Sequence, residues 1–349
     1  MRARASQFLK FGNETAAYLP TTNYCCIVTV FTVIDYSDKT ISIFTVFNMR
    51  ACFTRSSIRF ASRKSLSLKK TTAATSSTQF STFEPRDPIL DVVSFQKKLA
   101  KYAPYISKSL AHQGYYTTPE SFSILPKEII QIMRQQSIDL RNQGRFEQSW
   151  SEKIDAVSGT VTRFDKEGVF ACEPDGSDYD TAPDLIMYMT VLLQTLPDLL
   201  NISCDEFKVK PFGLSVSSFN AKLAVTSPGG SVYPLHIDNT QGIPAGDTRK
   251  LTCIMYLNPE YKEGDGGELR IFSGKHESHD LTPDGGRMVL FWSDEIPHEV
   301  LPTAPDADTM DQDKDRYALT LWIPTEDLQT IHNPRSKFAS LREKVFPSK

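Results

Sequence analysis

The sequence predicts an α+β protein, with a β-rich C-terminal half of jelly-roll or sandwich type packed by helices from the N-terminal half. Two observations carry this. Apolar residues recur at helical spacing in two stretches before Asn201, and after it short β-rich runs are parted by Gly-containing turn clusters. The 349 residues, 40% of them apolar, suffice for one large domain or two ordinary ones.

Residues 1–85 read as a disordered or transit-like segment. Between Met49 and Phe83 there are seven Lys or Arg, many Ser and Thr and no acid, a composition that resembles an organelle transit peptide. On that reading Met49 is the true start, residues 1–48 are untranslated or poorly ordered, and the protein goes to mitochondrion or plastid. A disordered basic tail explains the same composition, and then cytoplasm or nucleus is expected. The longest apolar run, Cys25 to Ile34, is about half of the roughly 20 residues that span a bilayer as a helix, so no membrane span is expected. A net charge of −3 offers no basic field for nucleic acid. Six scattered cysteines without C-x-x-C spacing fit a reducing compartment.

Residues 86–200 read as a helical support. Pro126 opens a helix carrying Ile129, Ile130, Met133 and Leu140, which Gly144 stops. A second helix starts at Pro183, presents Leu185, Ile186, Met189, Leu192, Leu193 and Leu196 on one face, and ends near Pro197. Residues 201–330 read as the β core, followed by a tail, 331–349. Its turns fall at Pro228-Gly229-Gly230, Gly264-Asp265-Gly266-Gly267 and Pro283-Asp284-Gly285-Gly286, and its candidate strands are Ala221 to Val225, Leu251 to Leu257, Glu268 to Phe272, Met288 to Trp292 and Tyr317 to Ile323.

In His236-Ile237-Asp238 the strand period of two puts imidazole and carboxylate on one side of the chain, within reach of one metal ion. His298, some sixty residues on and just after an apolar strand, supplies a third donor. Two imidazoles and one carboxylate leave open positions on a metal, the arrangement of non-haem Fe(II) oxygenases. Arg316 begins a strand on which Ala318, Thr320 and Trp322 share its side, and its guanidinium matches a carboxylate bidentately. Tyr256, on the side of Thr252 and Ile254, can add a hydrogen bond to that carboxylate, while Cys253 faces the core. Taken singly, His112, His276, His279 and His332 read as exposed loop residues, and Asn239 as a turn former or a support for the metal site.

The strings HIDN, TCIMYLN, GGELRIF, FWSDEIPHEV and RYALTLW, in order from about Ala221 to Pro324, resemble the catalytic domain of prolyl 4-hydroxylases, most closely the hypoxia-sensing type. LRNQGRF at Leu140 to Phe146 is similar to a helix end of the same family. The resemblance implies a double-stranded β-helix (jelly-roll) core, Fe(II), 2-oxoglutarate and O2 as co-substrates, and L-ascorbate as reductant. It implies His236, Asp238 and His298 as iron ligands, Arg316, Tyr256 and Thr320 as the co-substrate site, and Leu269, Trp322 and Ile254 as pocket walls, with no catalytic group beyond the metal site. The partner implied is a protein or peptide bearing proline, hydroxylated as 2-oxoglutarate is decarboxylated to succinate; oligomeric state stays open. A same-fold oxygenase acting on another residue or a small molecule, and a non-catalytic barrel that only binds, are the alternatives.

Two departures from that family stand out. A pocket tyrosine of the hypoxia-sensing enzymes falls near Ser227, which implies a lower affinity for 2-oxoglutarate. Between His298 and Arg316 lies a longer loop with Asp306, Asp308, Asp311, Asp313 and Asp315, expected to be a solvated insertion.

Overall fold

The computed structural model describes residues 27–37, 40–50 and 87–344, apart from 121, 155–160, 207–211, 230–232, 275 and 304–313. The chain forms two compact units, 1–79 and 80–349. In the first, β1 (Ile27–Ser37) pairs antiparallel with β2 (Thr40–Arg50). Residues 51–83 of the transit-like segment lie outside the described residues.

The second unit opens with a helix the sequence analysis did not place, α1 (Val92–Gln113). Asp91 caps it by accepting from the Ser94 N–H at 3.0 Å, and Gly114 ends it at φ 83°, a left-handed position that glycine adopts without steric cost. Its buried stripe, Phe95, Leu99, Ala103, Ile106 and Leu110, follows helical spacing. Pro104 inside the pattern obscures it. After β3 (Tyr115–Thr117), α2 (Lys127–Asn142) follows Pro126 as expected.

The expectation that the second helix ends near Pro197 is corrected, because α3 runs from Pro183 to Glu206 with Pro197 inside it. An interior proline loses a backbone hydrogen bond and costs about 3 kcal/mol. Burial of Leu196 and Leu200 beyond and beside it offsets that cost, each side chain contributing roughly 1.5–3 kcal/mol. From Pro183 to Ile202 the helix is long and apolar enough to cross a membrane by composition. Here its apolar face is core, with Tyr188 fully buried and stacked 5.3 Å from Phe95 of α1.

The β structure is two antiparallel sheets. The larger has the order β3-β11-β8-β13-β6-β5-β4, where β4 is Glu147–Ile154, β5 Val161–Cys172, β6 Asn220–Thr226, β8 Arg249–Tyr256, β11 Met288–Trp292 and β13 Arg316–Pro324. The smaller has the order β10-β9-β12-β7, where β7 is Tyr233–His236, β9 Leu269–Phe272, β10 Ser278–Leu281 and β12 His298–Val300. Together they are a double-stranded β-helix, as expected. The segment read as helical support also contributes β3, β4 and β5 to the larger sheet, so it is not purely helical. Those strands carry no clean alternation in sequence.

Register decides what the larger sheet shows on each side. Side chains directly opposite each other share a face. Cys253, Leu290 and Leu321 form one buried row. The opposite face carries Val289, Ile254, Thr320 and Lys222 in one row, and Phe291, Thr252, Trp322 and Asn220 in the next.

Candidate metal centre

His236 closes β7 and His298 opens β12, and the two residues are direct partners in the ladder between those strands. Their ring centroids lie 4.3 Å apart. Asp238, two residues past His236, places Oδ1 3.7 Å from His236 Nε2 and 3.8 Å from His298 Nε2. One donor atom from each of the three lies within 4.8 Å of the others.

Each imidazole is oriented by its other nitrogen. His236 Nδ1 lies 2.7 Å from the Pro234 carbonyl oxygen and His298 Nδ1 3.1 Å from that of Ile296. A proton on Nδ1 donated to each carbonyl leaves both Nε2 lone pairs facing Asp238. Burial and the neighbouring His298 hold His236 well below the usual imidazole range, so it stays neutral and able to ligate. Burial alone would raise the Asp238 carboxyl, but the two imidazoles and its hydrogen bonds lower it, keeping it ionised.

Asp238 Oδ2 accepts from Thr252 Oγ1 at 2.6 Å and from Trp322 Nε1 at 3.0 Å, leaving Oδ1 for a metal. The Thr252 hydroxyl also lies 2.8 Å from Ser293 Oγ. Thr252 and Ser293 were not singled out as site residues in the sequence, although Thr252 alternates with Ile254 and Tyr256. Thr252→Val should lower metal affinity roughly 10- to 100-fold, read by metal titration; an unchanged affinity would show that Trp322 alone positions the carboxylate.

Arg316 is buried at the end of β13, where its Nε donates to the Gly267 carbonyl at 2.7 Å and its guanidinium carbon lies 5.0 Å from the Tyr256 ring centre. Among the described residues no carboxylate lies within 4.0 Å of it. Beside it, the fully buried Tyr256 hydroxyl and the Thr303 hydroxyl have no hydrogen-bond partner. Burial holds the Tyr256 phenol above its usual range, so it remains a donor. A buried cation with two unpaired hydroxyls is a cradle for a carboxylate, since an unsatisfied buried polar group costs about 1–3 kcal/mol. Thr303 had no sequence signal. Gly267, at φ 74°, is required there, because a Cβ would sit 2.6 Å from Arg316 Cδ.

The remaining expected residues share the inner space. Thr320, Ile254 and Trp322 lie on the inner face of the larger sheet. Leu269 lies two residues from Ile271, the ladder partner of His298.

Several expectations need correction. Ser227, where the relatives' pocket tyrosine falls, lies just past the end of β6, its N–H bonded to Gly168 O at 2.8 Å, next to Thr226, the ladder partner of Arg316. Asp315 is not a solvated loop residue, since it is buried against Arg141; Asp306, Asp308, Asp311 and Asp313 lie outside the described residues. His332 is half-buried and bonds the Asn239 carbonyl at 2.7 Å, and His279 is half-buried beside Tyr115. Asn239 is fully buried and organises the next loop, donating to Asp247 O and Arg249 O and accepting from Gly242 N–H.

Two imidazoles and one carboxylate, with Oδ1 and both Nε2 atoms converging, fit a ferrous ion. Residues 221–324 match the 2OG-Fe(II) oxygenase superfamily. Over this barrel the chain is similar to that superfamily and related to the EGLN prolyl hydroxylases. It is 37% identical to human "Prolyl hydroxylase EGLN3" over 157 residues, 44% of this chain and 58% of that protein. With rat "Egl nine homolog 1" it shares 40% over 105 residues, 29% of this chain and 27% of that protein. The chain thus spans only part of the length of either relative. A solved structure of prolyl 4-hydroxylases from Phytophthora capsici shares the fold, with a TM-score of 0.52 and 22% identity over 77% of each chain.

Proposed function

We propose that this protein is an Fe(II)- and 2-oxoglutarate-dependent dioxygenase that hydroxylates prolyl residues of a protein substrate. The observation that carries the reading is the juxtaposition, in one barrel, of a His-Asp-His donor set and a buried, carboxylate-free Arg316 flanked by two unpaired hydroxyls. The prolyl substrate is supported by the relationship to EGLN3, whose name records that activity.

His236, Asp238 and His298 would hold the iron, which together with 2-oxoglutarate activates O2 for oxidation of a C–H bond, with release of succinate and CO2. The chain's own work is binding and orientation. Arg316 takes the distal carboxylate of 2-oxoglutarate, and the Tyr256 hydroxyl donates to the same group. Thr252 and Trp322 hold Asp238 so that one oxygen stays directed at the metal position. The buried Ile254, Leu269 and Phe291 exclude water from the centre, which strengthens every charge interaction inside it.

The test is O2-dependent succinate release with Fe(II), ascorbate and a proline-containing peptide pool, comparing the wild type with His236→Ala and Arg316→Ala. Turnover is expected in the wild type and lost in His236→Ala. Arg316→Ala should raise KM for 2-oxoglutarate by roughly 100-fold, the loss of a buried charge-assisted pair. A wild type with stoichiometric iron and no succinate from any peptide would overturn the reading.

A further inference from the structure

Two lysines beside the triad are unused by that reading. Lys222 on β6 is the ladder partner of Thr320, so its side chain leaves the sheet on the inner face, one position along from the row of Thr252 and Trp322 that holds Asp238. Lys166 reaches the same place from β5, its ammonium 3.7 Å from the centre of the Tyr233 ring, which is itself 6.5 Å from the His236 ring. Both lysines are half-buried and close enough to repel each other. Burial lowers both amines; Glu173 and then Asp238 oppose the shift at Lys222, and Asp238 opposes it at Lys166.

Lys250 shows what a satisfied buried lysine looks like in this fold, with Asp294 at 2.9 Å and the Thr330 carbonyl at 3.0 Å. Among the described residues neither Lys166 nor Lys222 has a carboxylate or carbonyl partner; the one polar contact is from Lys222 Nζ to Ser149 Oγ at 3.4 Å. Two half-buried like charges with no carboxylate within 4.0 Å among the described residues, and only the more distant Glu173 and Asp238 to offset them, gain from an anion bound directly between them. Arg316 is held elsewhere on the same face, its backbone partnered with Thr226, four residues along the strand from Lys222, and its Nε bonded to the Gly267 carbonyl. By register Lys222 lies towards the triad end of the inner face.

We propose that Lys166 and Lys222 form a carboxylate-binding subsite that selects a substrate bearing an acidic side chain near the residue to be oxidised. This rests on the oxygenase reading of the site. A second source of the same chemistry is the metal-end carboxylate of 2-oxoglutarate, and the experiment separates the two.

The probe is a proline-centred peptide library in which one flanking position at a time is Asp or Glu, matched by Asn or Gln. Succinate release with Fe(II) and 2-oxoglutarate should show, at one position, a preference for the acid of roughly tenfold in kcat/KM. Lys222→Met and Lys166→Met should lose that preference through the peptide KM, and Lys222→Arg, which keeps the charge, should retain it. Anaerobic binding of the same peptides to Mn(II)-loaded protein, followed by fluorescence anisotropy, should show the same discrimination without turnover. No acid preference in wild-type binding overturns the subsite. A raised KM for 2-oxoglutarate with peptide preference intact also overturns it, giving the lysines to the co-substrate. Acid-selective binding without any succinate supports the subsite while refuting the oxygenase reading.

Discussion

Asp238→Ala is expected to abolish turnover and to lower Fe(II) or Mn(II) affinity by more than roughly 100-fold, beyond the loss typical of a group that only supports a ligand. The carboxylate supplies the only negative charge among the three donors, and its Oδ2 satisfies both Thr252 and Trp322. Its removal leaves two imidazoles 4.3 Å apart with no anionic donor beside them and the Trp322 N–H without its acceptor. Asp238→Asn should be nearly as inactive, because the neutral amide keeps the shape but not the charge. Metal titration monitored by calorimetry checks both; near-native affinity in either variant would remove Asp238 from the centre.

The second large effect is on stability. Lys250 is buried with its ammonium on Asp294 and 3.7 Å from Glu295, and Asp294 Oδ2 accepts the His332 backbone N–H at 2.8 Å. Asp294 and Glu295 lie in the turn between β11 and β12, so this cluster ties the segment ahead of His298 to the C-terminal region. Lys250→Met would strand a fully buried carboxylate and should cost about 3–5 kcal/mol. For a unit of this size that lowers Tm by roughly 10 °C.

The pH dependence gives a sign. Burial, and the nearby Asp294, raise the Glu295 carboxyl despite the opposing Lys250. A carboxyl whose folded pKa lies above its unfolded value binds more protons in the folded state across that window, so it favours folding at lower pH. Removing Lys250 widens the window, and the deficit of Lys250→Met should therefore shrink from pH 7 towards pH 5. Thermal unfolding at both pH values decides it: a shift below about 2 °C at pH 7, or a deficit that grows on acidification, would contradict the account.

Much of the metal centre is legible in sequence because its cues are local. Strand alternation pairs His236 with Asp238, and Arg316 with Ala318, Thr320 and Trp322, without knowledge of the fold. The strand Met288 to Trp292 was placed with its observed limits, since five consecutive apolar residues bounded by Arg287 and Ser293 leave little freedom. Helix α1 was missed although Asp91 and Gly114 mark both its ends, because Pro104 interrupts the pattern. The same residue type misled at Pro197, where α1 and the sheet bury enough of α3 to carry the helix through.

Other features have no local cue. Ser293 is drawn to Thr252 by pairing of β8 with β11, forty residues apart in sequence, and Thr303 comes to Arg316 through the return of the chain past Gly267. Asp315 and Arg316 are neighbours with opposite fates: one is neutralised by Arg141 of α2, the other is left without a carboxylate. Lys222 lies within the candidate strand Ala221 to Val225, and only its register with Thr320 makes it an inner-wall residue.

The sequence by itself determined which donors exist and which side of a strand each occupies, since both follow from residue chemistry and a two-residue period. Tertiary structure decided which of them converge, which are neutralised and which are left waiting for a ligand. Those outcomes depend on ladder register and collective packing between segments far apart in the chain, and a short window of sequence carries no information about either.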